Sequence, residues 1–149
     1  MKGRTMNEGT FEKELRKAQQ LEPFLFEMES DPPASEELIQ SVEKNLNVQF
    51  PLEFREFLKK YGSGEFAYTH LYSLSNDIEN NIIEENKILN DKRVVAISDN
   101  GAGDYYCYLV KENYCESSIV ILDHETGDFD EYYYKNIFEF LYLVGLDNE

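Results

Sequence analysis

The apolar residues of this chain change their period once, near Asp91, and that change decides the fold class. Before it they recur at helical spacing, as in Phe11, Leu15 and Ala18, then Leu38, Ile39, Val42 and Leu46, then Phe54, Phe57, Leu58 and Tyr61, then Ile78, Ile82 and Leu89. After it Val94, Val95, Ala96 and Ile97 run on without a polar residue, and Tyr105 to Lys111, Ile119 to Leu122 and Phe129 to Tyr134 read as further strands. Helices followed by strands predict an α+β single domain, with an antiparallel-rich sheet in the second half packed by N-terminal helices. A length of 149 residues suits one such core.

Local signals place the boundaries. Thr10 is expected to cap a first helix that ends near Glu22 or Pro23. The Asp31-Pro32-Pro33-Ala34 break separates an N-terminal helix and connector, residues 1–32, from the main unit, residues 33–146. Ser35 is placed to cap the second helix, Pro51 to open a third that ends at Gly62 or Gly64, and Ser75 or Asn76 to cap a fourth. The run Val94 to Ile97 predicts a central strand covered on both faces. Asn136 and Glu139 form a capping box for a closing C-terminal helix that stops at Gly145.

Thirty acids against fourteen bases leave a formal charge of -16, a field that repels nucleic acid and anionic membranes. Neither is expected as a partner. From Asp99 to Glu149 there are twelve acids and two bases. Lys2 and Arg4 are followed by polar residues rather than an apolar signal core, and the apolar stretch Phe140 to Leu146 is far shorter than a membrane span, so a soluble cytoplasmic protein is expected.

No motif carries catalysis. The glycine turn from Asp99 to Asp104 opens a strand, not a phosphate-binding helix, and a calcium loop begun at Asp99 would need glutamate where Val110 stands. His70 and His124 have no metal-ligand spacing with Cys107 or Cys115, which read as ordinary reduced thiols. No metal, no cofactor and no enzymatic activity are expected.

Other residues resemble a family. The run from Pro33 through Ile39, then Glu43, Leu46, Phe50-Pro51, Phe54, Phe57-Leu58 and Tyr61-Gly62-Ser63-Gly64, is similar to the opening of the SUKH domain, named partly after fungal Smi/Knr cell-wall regulators. The strand Val95 to Ser98, the turn Asp99 to Asp104, Tyr105-Tyr106-Cys107, Ile119 to Leu122 and Phe138-Glu139-Phe140-Leu141 follow in the family's order. The resemblance implies an α+β fold without catalytic residues. It also implies an immunity protein, or antitoxin, that neutralises a cognate toxin domain, frequently a nuclease, by protein contact. The alternative it implies is a regulatory scaffold like the fungal proteins.

The residues themselves suggest where a basic partner would dock. Asp123, Glu125, Asp128, Asp130 and Glu131 crowd one predicted hairpin beside Tyr132 and Tyr134, and anions next to large amphipathic rings suit a protein interface. Alternation puts Tyr132 and Tyr134 on one sheet face and Tyr133 on the other, where it is a candidate for the core.

Overall fold

The computed structural model describes residues 6–27 and 30–147, so Lys2 and Arg4 lie outside the described residues. Helix α1 spans Glu8–Leu21 and is capped by Asn7, whose side chain accepts the Thr10 N–H at 2.9 Å. The expected cap at Thr10 is therefore corrected: Asn7 stands three residues earlier, and asparagine is the stronger N-cap. A 3-10 turn, Pro23–Phe26, leads to the proline break. Helix α2, Glu36–Leu46, begins at Ser35 as expected, with the Ser35 hydroxyl accepting the Leu38 N–H at 3.1 Å.

Helix α3, Leu52–Tyr61, follows Pro51 and buries Phe54, Phe57 and Leu58. It ends at Gly62, where φ is +82° and an added Cβ would lie 2.4 Å from the Pro32 carbonyl oxygen. Only glycine fits both constraints. Strands β1, Gly64–Phe66, and β2, Thr69–Leu71, form a small antiparallel hairpin. Helix α4 spans Ile82–Leu89 and is capped by Asn81, which accepts the Glu84 N–H at 2.9 Å. Ser75 and Asn76 instead belong to the preceding turn, which corrects the expected start.

The main sheet consists of β3, Val94–Asp99, β4, Tyr105–Lys111, β5, Tyr114–Leu122, and β6, Phe129–Tyr134, all antiparallel in the order β3-β4-β5-β6. Val94 to Ile97 are buried as expected, but the expected central position is corrected: β3 is an outer strand of this sheet. Its far edge is closed by other means. The Asn86 side chain of α4 bonds both the N–H (2.8 Å) and the carbonyl (2.9 Å) of Ala96, and the Tyr72 N–H donates to the Ile97 carbonyl at 2.9 Å. A side chain and a neighbouring segment thus replace the missing strand.

After β6 the chain forms helix α5, Ile137–Phe140, capped by Asn136, and a π-helical turn, Leu141–Leu146. One core joins all layers. Phe11 of α1 packs against Phe57, Phe66 and Phe138 with ring centroids 6.1, 5.9 and 5.4 Å away, so the N-terminal helix shares the core of the sheet. Each fully buried ring contributes roughly 1.5–3 kcal/mol. Glu43, a buried acid of α2, accepts the Phe50 N–H at 2.8 Å and the Arg55 Nε at 3.1 Å, while Arg55 also reaches Glu36 at 2.6 Å, locking α2 to α3. Among the described residues, no helix is long and apolar enough to cross a membrane.

Candidate partner-binding surface

The turn between β5 and β6 is built by its own acids. Asp123 Oδ1 accepts the Glu125 N–H at 2.8 Å and the Thr126 N–H at 3.2 Å, and the Asp123 N–H donates to the Asp128 carbonyl at 2.9 Å. Thr126 Oγ1 accepts the Asp128 N–H at 3.1 Å, and Gly127 supplies the positive φ of 75°. An aspartate that satisfies backbone donors in this way fixes a turn before any partner arrives. Asp123 is thus a scaffold for Glu125 and Asp128, whose side chains are exposed.

Two further anchors pin the turn from opposite sides. Asp104, at the end of the β3–β4 loop, contacts His124 Nδ1 at 3.1 Å and accepts the His124 N–H at 3.3 Å. The imidazole covers Gly103, where an added Cβ would fall 2.8 Å from the ring. Hydrogen bonding to Asp104 raises the His124 pKa above its ordinary 6.5, and the same bond lowers that of Asp104. On the other side, Arg93 donates to the Gly127 carbonyl at 3.0 Å and lies 4.7 Å over the Phe129 ring, while Asp91 holds its guanidinium at 2.7 and 3.0 Å. The turn is therefore preorganised, which lowers the ordering cost of binding.

Strand β6 carries the remaining expected residues. Asp130 and Glu131 are exposed, and Asp130 Oδ1 accepts the Tyr132 N–H at 2.8 Å. Tyr132 and Tyr134 share a face as expected, their rings 5.1 Å apart at 89°. Their environments differ, because Phe140 of α5 packs back onto Tyr134 at 5.4 Å and Tyr106 meets it at 6.1 Å. Tyr134 is only 8% exposed, against 51% for Tyr132 and 50% for Tyr133. The suggestion that Tyr133 is core is corrected: alternation separates the two faces, but the helix that follows β6 selects which one it covers.

Asp104, Asp123 and His124 bring one ligand atom each within 4.8 Å of one another, the closest approach to a metal-ligating cluster among the described residues. Their carboxylates already accept protein N–H groups. Among the described residues neither histidine hydrogen-bonds a serine, threonine or cysteine side chain. Cys107 and Cys115 are buried, and burial raises both thiols, that of Cys115 to about 12. Such thiols are poor nucleophiles. Two hollows of about 420 Å³ lie elsewhere, one between α2, α4 and the β4–β5 turn and one beside Asp31 and His70, and no residue of the acidic turn lines either.

Sequence reasoning missed a group next to this surface. Asp99 accepts the Tyr72 hydroxyl at 2.7 Å and the Gly101 N–H at 3.0 Å, with His70 Nε2 at 3.6 Å. Arg93 was missed as well. Partners this far apart in the chain leave no spacing signal.

A family model described as "SMI1-KNR4 cell-wall", SUKH_6, matches residues 36–141. A crystal structure of a protein from Pseudomonas syringae pv. tomato superimposes with a TM-score of 0.69 at 16% identity, covering 92% of this chain and 99% of that one. At that identity the likeness concerns the fold alone. No curated protein matches.

Proposed function

This chain belongs to the SMI1-KNR4 cell-wall family, in its SUKH_6 branch, and from that premise we propose that it is a cytoplasmic immunity protein that neutralises a toxin by protein contact. Its partner is a basic toxin domain, a nuclease being the class whose phosphate-binding groove a chain of charge -16 attracts. The observation that carries this reading is the preorganised acidic turn. Glu125, Asp128, Asp130 and Glu131 project from a frame made by Asp123, with Tyr132 half-exposed beside them and Tyr134 packed beneath Tyr132. Opposite charges steer encounter, and rings excluded from water hold the complex. Inhibition works by covering the toxin's active site or the surface next to it, without chemistry by the chain.

The test is growth rescue. Co-expression with the C-terminal domain of a toxin encoded in an adjacent reading frame restores growth if the reading is right, and no rescue by any adjacent toxin overturns it. The cell-wall relatives named in the family description favour a second reading, a regulatory scaffold that binds several proteins without inhibiting them. Stable complexes with non-toxic proteins, in the absence of rescue, would support that role.

A further inference from the structure

The sheet has two faces, and the ring contacts from the helices fall on one of them. Phe54 of α3 meets Tyr108 at 5.3 Å, and Phe140 of α5 meets Tyr106 at 4.7 Å and Tyr134 at 5.4 Å. On the opposite face the pairing register aligns Cys107 with Val120 and Tyr133, and Tyr105 with Leu122 and Phe129. Cys107 and Leu122 are buried there, but Tyr105, Leu109 and Phe129 are only partly covered and Tyr133 is 50% exposed. Phe129 is fixed by the Arg93 guanidinium above it. Together they form a shallow apolar surface with its rings already in place.

Acids rim this surface. At the β3 side Asp99 pairs directly with Tyr105 across the ladder, its carboxylate held by the Tyr72 hydroxyl and the Gly101 N–H. Glu85 of α4 lies within electrostatic reach of Asp99, His70 and Tyr105, and burial followed by the Asp99 charge raises its pKa. Neither Asp99 nor Glu85 pairs with a lysine or arginine among the described residues. By contrast, Glu36, Glu43 and Asp91 each have an arginine. At the β6 side Glu131 sits two residues from Tyr133, on the same face.

We propose that this sheet face docks a basic protein surface, with Tyr133 as its aromatic anchor and an arginine or lysine of the partner entering between Asp99 and Glu85 against the Tyr105 ring. The inference rests on the basic toxin partner proposed above and moves the centre of contact from the turn to the face beside it. A cation there supplies a permanent counter-charge where the nearby His70 imidazole gives one only when protonated, and a guanidinium adds stacking on tyrosine. A second copy of this chain is a poor occupant, because it would bring the same acids face to face.

The experiment is an amide NMR titration of the full chain with a hexa-arginine peptide, repeated on the Glu85→Gln/Asp99→Asn double variant and on Tyr133→Ala. Expected are salt-sensitive shifts clustered at Glu85, Tyr105, Leu109 and Tyr133, with affinity falling about ten-fold in the double variant. Tyr133→Ala is expected to weaken binding about five-fold. Shifts confined to residues 123–128, with affinity unchanged in the double variant, would leave the basic-partner reading standing and overturn the docking face. No binding anywhere would overturn both. Shifts reproduced by Mg²⁺ alone, or a dimer in sedimentation that Tyr133→Ala abolishes, would assign the face to a cation or to a second copy and overturn the proposal.

Discussion

Asp104 holds His124 at two points, at the imidazole Nδ1 and at the backbone N–H, and so joins the β3–β4 loop to the β5–β6 turn. These loops belong to different hairpins, and this contact makes them one surface. The pair is stronger when the imidazole is charged and the carboxylate ionised.

His124 should therefore titrate above 6.5, with Asp104→Asn returning its midpoint toward that value. A raised folded value means that the His124 contribution to stability is complete below pH 6.5 and disappears as pH rises through the folded pKa. Histidine ring NMR on both proteins checks this, and a midpoint unmoved by Asp104→Asn would dissolve the link.

The Glu36–Arg55–Glu43 bridge gives a different pH dependence. Arg55, then Lys59 and Gln40, hold the Glu36 carboxyl down to about 2, against an ordinary 4.5. Its contribution is thus complete above pH 4.5 and is lost as pH falls toward 2. Thermal melts should show Glu36→Gln less stable than the parent at pH 6, with the gap closing by pH 2. Glu43→Ala, which leaves the buried Phe50 N–H without its acceptor and Arg55 with Glu36 alone, should cost about 3 kcal/mol at neutral pH.

Gly62 and Gly101 both have positive φ, +82° and +78°, but differ in surroundings. Around Gly101 nothing lies within 4 Å of an added Cβ, whereas at Gly62 the Pro32 carbonyl intrudes. Gly101→Ala should cost about 1 kcal/mol from backbone strain alone. Gly62→Ala should cost about 3 kcal/mol or more, because the proline connector must move. Denaturant midpoints separate the two, and equal losses would contradict this account.

If the acidic turn docks a basic partner as proposed, charge and contact there should separate kinetically. Glu125→Lys, Asp128→Lys and Glu131→Lys combined should slow association about ten-fold or more and flatten its salt dependence, while Tyr132→Ala mainly speeds dissociation. Asp123 is left out of this set because it builds the turn. Surface plasmon resonance against any toxin domain that the growth-rescue test identifies provides the readout.

The α+β order, the span of β6 and the Ser35 cap were legible because each follows from local period or capping chemistry. Two helix starts were not, since Thr10 and Ser75 are cap-forming residues lying within six positions of Asn7 and Asn81, the ones the structure uses. The three-residue strands β1 and β2 are too short to show a period. Burial of Val94 to Ile97 was legible, but the partner closing the edge is the Asn86 side chain, which no strand pattern announces. Of the candidate surface, the acids and Tyr132 could be read from the chain. The roles of Arg93 and Asp99 could not, because their partners lie 34 and 27 residues away.

With the β3 edge closed by Asn86 and Tyr72, strand addition is left to β6, the other outer strand. There the register with β5 is interrupted between Val120 and Leu122, Asp130 occupies the Tyr132 N–H, and Glu131 projects close by. A second copy approaching edge to edge would meet a bent ladder, a blocked donor and like charges. Both outer edges of the main sheet are thus poor templates for a further strand, and copies of the chain are kept from joining sheet to sheet.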